Sequence, residues 1–202
     1  QMSHTRSATI DGNDLDGSGH FTWSALSIDR VPGGSTYTTT NNKLFSSDGT
    51  GLKFGFVEEP GLTLTLTDNN FDGARNGAVL NNIKGPFTLD PTSNNSFVGT
   101  GQGGGTPLRI SGVDVTVKDW IATSPANTLG TAGAGGGILV FIRDREFAGD
   151  LFSEGIVLRN NKIHLPSIPV QMSHTRSATI DGNDLDGSRH FTWRALAIDR
   201  VP

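Results

Sequence analysis

The side chains best suited to chemistry fall in two groups. Arg159, Lys162 and His164 lie within six residues of one another, and Asp186 follows 22 residues after His164. Cations beside a basic side chain are what a reaction needs when a proton is taken from a carbon next to a carboxylate. The cation offsets the charge and the base accepts the proton. The second group is Asp11, Asp14 and Asp16 in the run Asp11-Gly-Asn-Asp-Leu-Asp-Gly17. Three closely spaced carboxylates suggest calcium, but the calcium loop of helix-loop-helix proteins requires an oxygen ligand where Leu15 stands. Asp11, Asp14 and Asp16 are therefore a candidate for weak calcium binding, set against the default of a solvated acidic corner. No other cofactor is indicated. The run Gly99-Thr-Gly-Gln-Gly-Gly104 precedes a strand pattern, so it lacks the helix N-terminus that a pyrophosphate needs.

Composition narrows the function classes. The 202 residues contain no Cys, which removes disulfide frameworks and thiolate metal sites but does not fix the compartment. The net charge is -4 and Lys and Arg are not clustered, so nucleic acid is not an expected partner. No apolar run approaches the ~20 residues that cross a bilayer, and a signal for export is expected to lie outside this stretch.

These residues must be positioned by something, and the chain is strongly repetitive. Residues 1–32 recur as residues 171–202, with three differences: Gly19 becomes Arg189, Ser24 becomes Arg194 and Ser27 becomes Ala197. Such near-identity points to recent tandem duplication or deliberate construction. The organisation read from it is one complete unit, residues 1–170, followed by the start of the next at 171–202, with no atypical capping segment of the kind a free solenoid end requires.

A shorter period runs inside the unit. Its template is Ala8-Thr-Ile-Asp-Gly-Asn-Asp-Leu-Asp-Gly17, matched most clearly by Leu64 to Gly73. Further matches begin at Tyr37, Asp90, Leu108, Val140, Ile156 and Ala178, giving spacings of 29, 27, 26, 18, 32, 16 and 22 residues and seven coils per 170-residue unit. The Leu15 column reads Leu15, Leu44, Phe71, Phe97, Val115, Phe147, Ile163 and Leu185, all apolar, and Asn13 recurs as Asn42, Asn69, Asn95, Asn161 and Asn183. Alternation at Ala8 and Ile10 marks a strand with one buried face. A corner Asn, one inward apolar residue and a turn Gly follow, and an Asn repeated at one corner can bond coil to coil as a ladder. The expected fold is an all-β parallel β-helix whose seven coils advance about 34 Å per unit at ~4.8 Å each.

The repeated apolar-x-x-Asn-x-apolar-x-Gly coils resemble the right-handed parallel β-helix superfamily, the pectate-lyase-like fold, over nearly the whole chain. That resemblance implies a fold shared by polysaccharide lyases and hydrolases, phage tailspikes and bacterial surface adhesins, and does not select among them. In a lyase of this fold, Arg159, Lys162, His164 and Asp186 would neutralise a uronate carboxylate and take the adjacent proton from one face. The plainer reading is a charge ladder. On the template the Asp14 column runs Glu146, Lys162, Asp184 and the Asp11 column runs Arg143, Arg159, Asp181, with His164 beside Asp186. Opposite charges then meet across coils and help register, each exposed pair contributing ~0–1 kcal/mol.

The expected function is a structural extracellular or cell-surface repeat protein, a fibre, stalk or adhesin that continues or self-associates end to end. A polysaccharide lyase or hydrolase and a non-catalytic glycan-binding adhesin are the alternatives. For sugar contact the candidates are Tyr37, Trp120 and the duplicated Trp23 and Trp193, with a buried staple the commoner use of the duplicated pair, and the Gly-rich runs 99–105 and 130–137 read as loops leaving the coils. Thr63-Leu-Thr-Leu-Thr67 turns its Thr outward as ice-binding solenoids do, but a single strand of this kind is not an array.

Overall fold

Alternating residues over Ser7–Asp11, Thr36–Thr40 and Thr63–Thr67 form three strands that lie in register on one another in the computed structural model. The structure describes residues 1–18, 23–57, 60–89, 95–96, 108–118, 121–123, 138–140, 153–164, 170–186 and 196–199. In chain order the strands are β1 (Met2–Ser3), β2 (Ser7–Asp11), β3 (Asp14–Asp16), β4 (Ser24–Val31), β5 (Thr36–Thr40), β6 (Lys43–Phe45), β7 (Thr50–Val57), β8 (Thr63–Thr67) and β9 (Asn76–Leu89). They continue as β10 (Leu108–Lys118), β11 (Ile121–Thr123), β12 (Ile138–Val140), β13 (Ile156–Arg159), β14 (Lys162–His164), β15 (Val170–Ser173), β16 (Ala178–Asp181), β17 (Asp184–Asp186) and β18 (Leu196–Asp199). All pairings are parallel, and no helix occurs among the described residues. The chain is a β-solenoid.

A turn has three sides. The first carries β2, β5 and β8; the second carries β3 and β6, extended by bridges from Lys43 to Asn70 and from Asn70 to Ser96; the third is the long sheet β1-β4-β7-β9-β10-β12-β15-β18. Later in the chain β13 and β16 pair on one side and β11, β14 and β17 on another. The third sheet is the one the template does not contain, because the template stops at Gly17.

That sheet corrects the coil count. Met2 pairs with Ile28, Ile28 with Phe54, Phe54 with Leu80, Leu80 with Ile110, Ile110 with Val140 and Val140 with Met172. Met172 is the copy of Met2, so six steps separate the copies where the template gives seven coils. The difference arises at Val140 and Ile156, two template matches that lie on one turn, since β12 and β13 both pair directly with β10; the match at Leu108 to Val117 is out of phase rather than surplus. β10 is one strand that crosses a corner: Leu108 and Ile110 pair with Ala78 and Leu80 on the long sheet, whereas Val115 and Val117 pair with Phe87 and Leu89 beyond the bend. Register shifts between Ile110 and Gly112 and between Val113 and Val115 mark the corner. A strand-corner-apolar spelling also occurs here, at a corner without a ladder Asn. Six steps shorten the advance per unit to about 29 Å. The segment beginning at Val140 is likewise cut: Val140 closes β12 on the long sheet, and Ile142 and Phe147 lie outside the described residues.

Inward positions stack into columns that form one core. Leu26, Leu52, Ala78 and Leu108 are consecutive neighbours, as are Ile28, Phe54, Leu80 and Ile110, and all are buried. Leu44 and Phe71 are buried in the Leu15 column and Leu64 and Leu66 on β8. Thr39 interrupts an apolar column, and its hydroxyl is satisfied by donating to Thr65 O at 3.4 Å. Gly51 is fixed by close approach: a Cβ there would stand 2.5 Å from Leu44 O and 2.8 Å from Phe71 Cδ1.

Candidate functional site

Among the described residues, the side chains that tie coil to coil most regularly are those of the Asn ladder. Asn13 Nδ2 donates to Asn42 Oδ1 at 3.0 Å, Asn42 Nδ2 to Asn69 Oδ1 at 3.0 Å, and Asn69 Nδ2 to Asn95 Oδ1 at 3.2 Å. Farther along, Asn161 Nδ2 donates to Asn183 Oδ1 at 2.7 Å. Each Oδ1 also accepts the backbone N–H of the preceding Asn, as in Asn13 N to Asn42 Oδ1 at 3.0 Å and Asn161 N to Asn183 Oδ1 at 2.9 Å. The second amide hydrogen reaches back one coil, from Asn42 to Ile10 O at 2.8 Å, from Asn69 to Thr39 O at 2.7 Å and from Asn183 to Leu158 O at 2.9 Å. Asn42 and Asn69 thus use both donors and both acceptor positions of the amide, which is why they tolerate full burial. The ladder expected from the spacing is present over these coils.

The corner that aims each amide was not legible from the Asn column alone. The residue before Asn13, Asn42, Asn69, Asn161 and Asn183 is left-handed: Gly12 (φ 67°), Asn41 (53°), Asp68 (55°), Asn160 (54°) and Gly182 (62°). Gly, Asn and Asp are the residue types that reach this region at least cost, so the signal lay in the column next to the one read. The turn Gly that closes the template is left-handed at Gly73 (φ 71°) but not at Gly17. A Cβ there would instead approach Ala25 N at 3.2 Å.

The acidic group of the first coils is distributed over two sides. Asp11 ends β2, and its Oδ1 accepts from Thr40 Oγ1 at 2.8 Å and Asn41 Nδ2 at 3.1 Å. The Thr40 hydroxyl first, then the Asn41 amide, hold its carboxyl below the ordinary value. Asp14 and Asp16 point outward from β3. Asp14 Oδ2 meets Lys43 Nζ at 3.3 Å, and Asp16 Oδ1 accepts from Ser18 N at 2.7 Å. Among the described residues no group of three His, Asp or Glu converges as a metal site would require.

The basic group is also split. Arg159 is on β13, in the sheet of β10 and β16, whereas Lys162 and His164 are on β14, in the sheet of β11 and β17. They lie on either side of the Asn160–Asn161 corner, so the four residues do not share one sheet. Arg159 Nε lies 3.5 Å from Asp181 Oδ2, both about half exposed, while Lys162 pairs in register with Asp184 and His164 with Asp186. Arg176 and Glu154 approach at 3.9 Å. Opposite charges therefore face each other across these coils, but the upstream neighbours differ from the template. Arg159 is in register with Lys118 and Lys162 with Ile121, and Arg143 and Glu146 lie outside the described residues.

The aromatic candidates separate. Tyr37 is buried, edge-on to Phe54 with ring centroids 5.3 Å apart, and its hydroxyl donates to Thr5 O. It is a core residue, and burial raises its pKa. Trp23, expected beneath a loop, is instead 77% exposed. Trp120, Trp193 and the Gly-rich runs lie outside the described residues. The Thr strand β8 is not alone, since its outward Thr63 and Thr65 continue the columns Ser7–Thr36 and Thr9–Thr38. Known protein families, curated proteins and solved structures offer no match to the chain.

Proposed function

We propose that this chain is a segment of a long extracellular β-helical fibre or stalk, of the kind exemplified by surface adhesins of the right-handed parallel β-helix superfamily, built from near-identical 170-residue units. One observation carries the reading: the described part of the second copy, residues 171–186 and 196–199, occupies the same structural place as the matching part of the first, six steps later. His4 and His174 share a left-handed backbone (φ 56° and 53°), as do Gly12 and Gly182. Ser3 Oγ and Ser173 Oγ each bond the next His Nδ1 at 2.8 Å, and Thr5 and Thr175 each donate to the carbonyl two residues back at 3.4 Å. A unit that superposes its own beginning on the coil after its end generates a rod by repetition, because every joint reproduces the contacts inside the unit. The residues following Pro202 test this. The reading requires Gly-Gly-Ser-Thr-Tyr, the sequence of Gly33 to Tyr37, and an unrelated continuation counts against it.

A second reading, a non-catalytic glycan-binding surface on the same rod, is favoured by Trp23 alone, a large aromatic ring held in solvent whose residue type recurs as Trp193 in the second copy. A glycan array compares the chain with its Trp23→Ala/Trp193→Ala variant; equal signals remove this reading. The lyase alternative gains no support, since Arg159 is engaged by Asp181 and stands around a corner from Lys162 and His164. An assay for unsaturated uronate products, with and without calcium and with Lys162→Ala and His164→Ala, is its test.

A further inference from the structure

We propose that the first side of the solenoid binds the surface of ice through the outward hydroxyls of Ser7, Thr9, Thr36, Thr38, Thr63 and Thr65.

The strands β2, β5 and β8 pair residue for residue, so that Ser7, Thr36 and Thr63 form one outward column and Thr9, Thr38 and Thr65 the next. No register shift interrupts them, in contrast to β9 and β10. Five of the six residues are exposed and Thr38 is partly buried. The result is a two-dimensional grid. Its positions repeat at ~4.8 Å from coil to coil and, two residues apart along each strand, at ~6.6 Å. Both repeats lie close to those of water molecules on the prism faces of ice.

The grid is fixed from behind. Tyr37, Thr39, Leu64 and Leu66, which alternate with the outward residues, are buried. At the end of the strands the amides of Asn13, Asn42 and Asn69 tie the same three coils together at 3.0 Å. A surface that meets a lattice gains most when its groups are already in place, because ordering them on contact costs conformational entropy. Threonine suits this use. Its β-branched side chain has few rotamers, and its hydroxyl both donates and accepts.

The composition of the face argues against other occupants. The two columns hold no aromatic ring for a sugar to stack on, no aromatic, Met or Arg anchor for a protein partner, and no charge. Asp11 stands in the column beside them, with Thr40 and Thr67, and its Oδ1 is taken by Thr40 Oγ1 at 2.8 Å and Asn41 Nδ2 at 3.1 Å. An uncharged grid of hydroxyls at fixed spacing offers hydrogen bonds to water held in a matching lattice. The copy of β2 does not rebuild it on its upstream side, where Thr179 adjoins Val157. The grid belongs to the coils of β2, β5 and β8.

The test places the full chain in solution around a slowly growing ice hemisphere, from which a protein without affinity for ice is pushed into the liquid. The chain is expected to enter the ice and to slow the coarsening of small ice crystals. Thr38→Tyr sets a bulky ring in the middle row and is expected to lower incorporation several-fold. Thr65→Tyr does the same one coil on and serves if Thr38→Tyr loses its fold, which circular dichroism and a thermal melt report. Lys43→Ala, on the second side, is expected to enter ice as the parent chain does. Exclusion of the parent chain overturns the proposal, as does equal incorporation of a folded Tyr variant or an equal loss in Lys43→Ala. Retention on crystalline cellulose, or self-association lost in Thr38→Tyr, without entry into ice assigns the face to a polysaccharide or to a second copy and also overturns it. Each of these results leaves the fibre reading standing.

Discussion

At the scale of single residues, stability concentrates in amides that have no spare bonding capacity. Asn42 engages Asn13, Asn69 and Ile10 while almost fully buried. Asn42→Ala removes these bonds and leaves the Asn13 N–H and the Ile10 carbonyl without their partner, an expected loss of about 2–4 kcal/mol in urea unfolding. Asn13→Ala, at an exposed position with one bond to its own strand, is expected to cost about 1 kcal/mol. Equal losses at the two positions would show that the ladder is not what holds the coils. Asp11 gives the pH dependence. Its folded pKa is depressed by the Thr40 hydroxyl and the Asn41 amide, so its contribution is present above the ordinary carboxylate value. It is lost as pH falls through the depressed one. Asp11→Asn is expected to flatten the fall of Tm on acidification, and an unchanged Tm profile would contradict that assignment.

At the scale of elements, the corners decide what the strands can do. Gly12→Ala must place a β-carbon in the left-handed region and is expected to lower stability by about 1–2 kcal/mol, whereas Gly12→Asn, the residue that stands there as Asn41 and Asn160, is expected to be near neutral. Gly51→Ala fails for a different reason, a clash with the Leu44 carbonyl and the Phe71 ring, with an expected loss of about 2–3 kcal/mol. Thermal melts of the three variants check the order. The side of the solenoid with the Asn corner was legible in the sequence because a polar residue recurring between apolar columns has one physical use there. The third side was not, since Leu26, Ile28, Leu52 and Phe54 follow the template at a distance set by loops of uneven length. β10 misled for a related reason: Ile110 and Val115 have the spelling of strand and corner, but nothing in a list of apolar positions says which corner it is. The charged groups were legible as facing pairs, as Arg159 with Asp181 bears out, but not as lying on two sides of a corner, because that depends on the backbone at Asn160. Trp23 carried no signal for exposure, since its neighbours Phe21 and Thr22 read equally well as a staple.

At the scale of the whole molecule, the proposed function is repetition itself. The path from Met2 to Met172 in six register steps returns the chain to its own sequence, and a polymer of such units is a rod whose mass per length is set by 170 residues in about 29 Å. The measurement that bears on this most directly is electron cryomicroscopy of the protein taken from its native source. Thin unbranched rods with an axial layer spacing of ~4.8 Å and a unit repeat near 29 Å are the expected result. Discrete globular particles, or rods without that unit repeat, would contradict it.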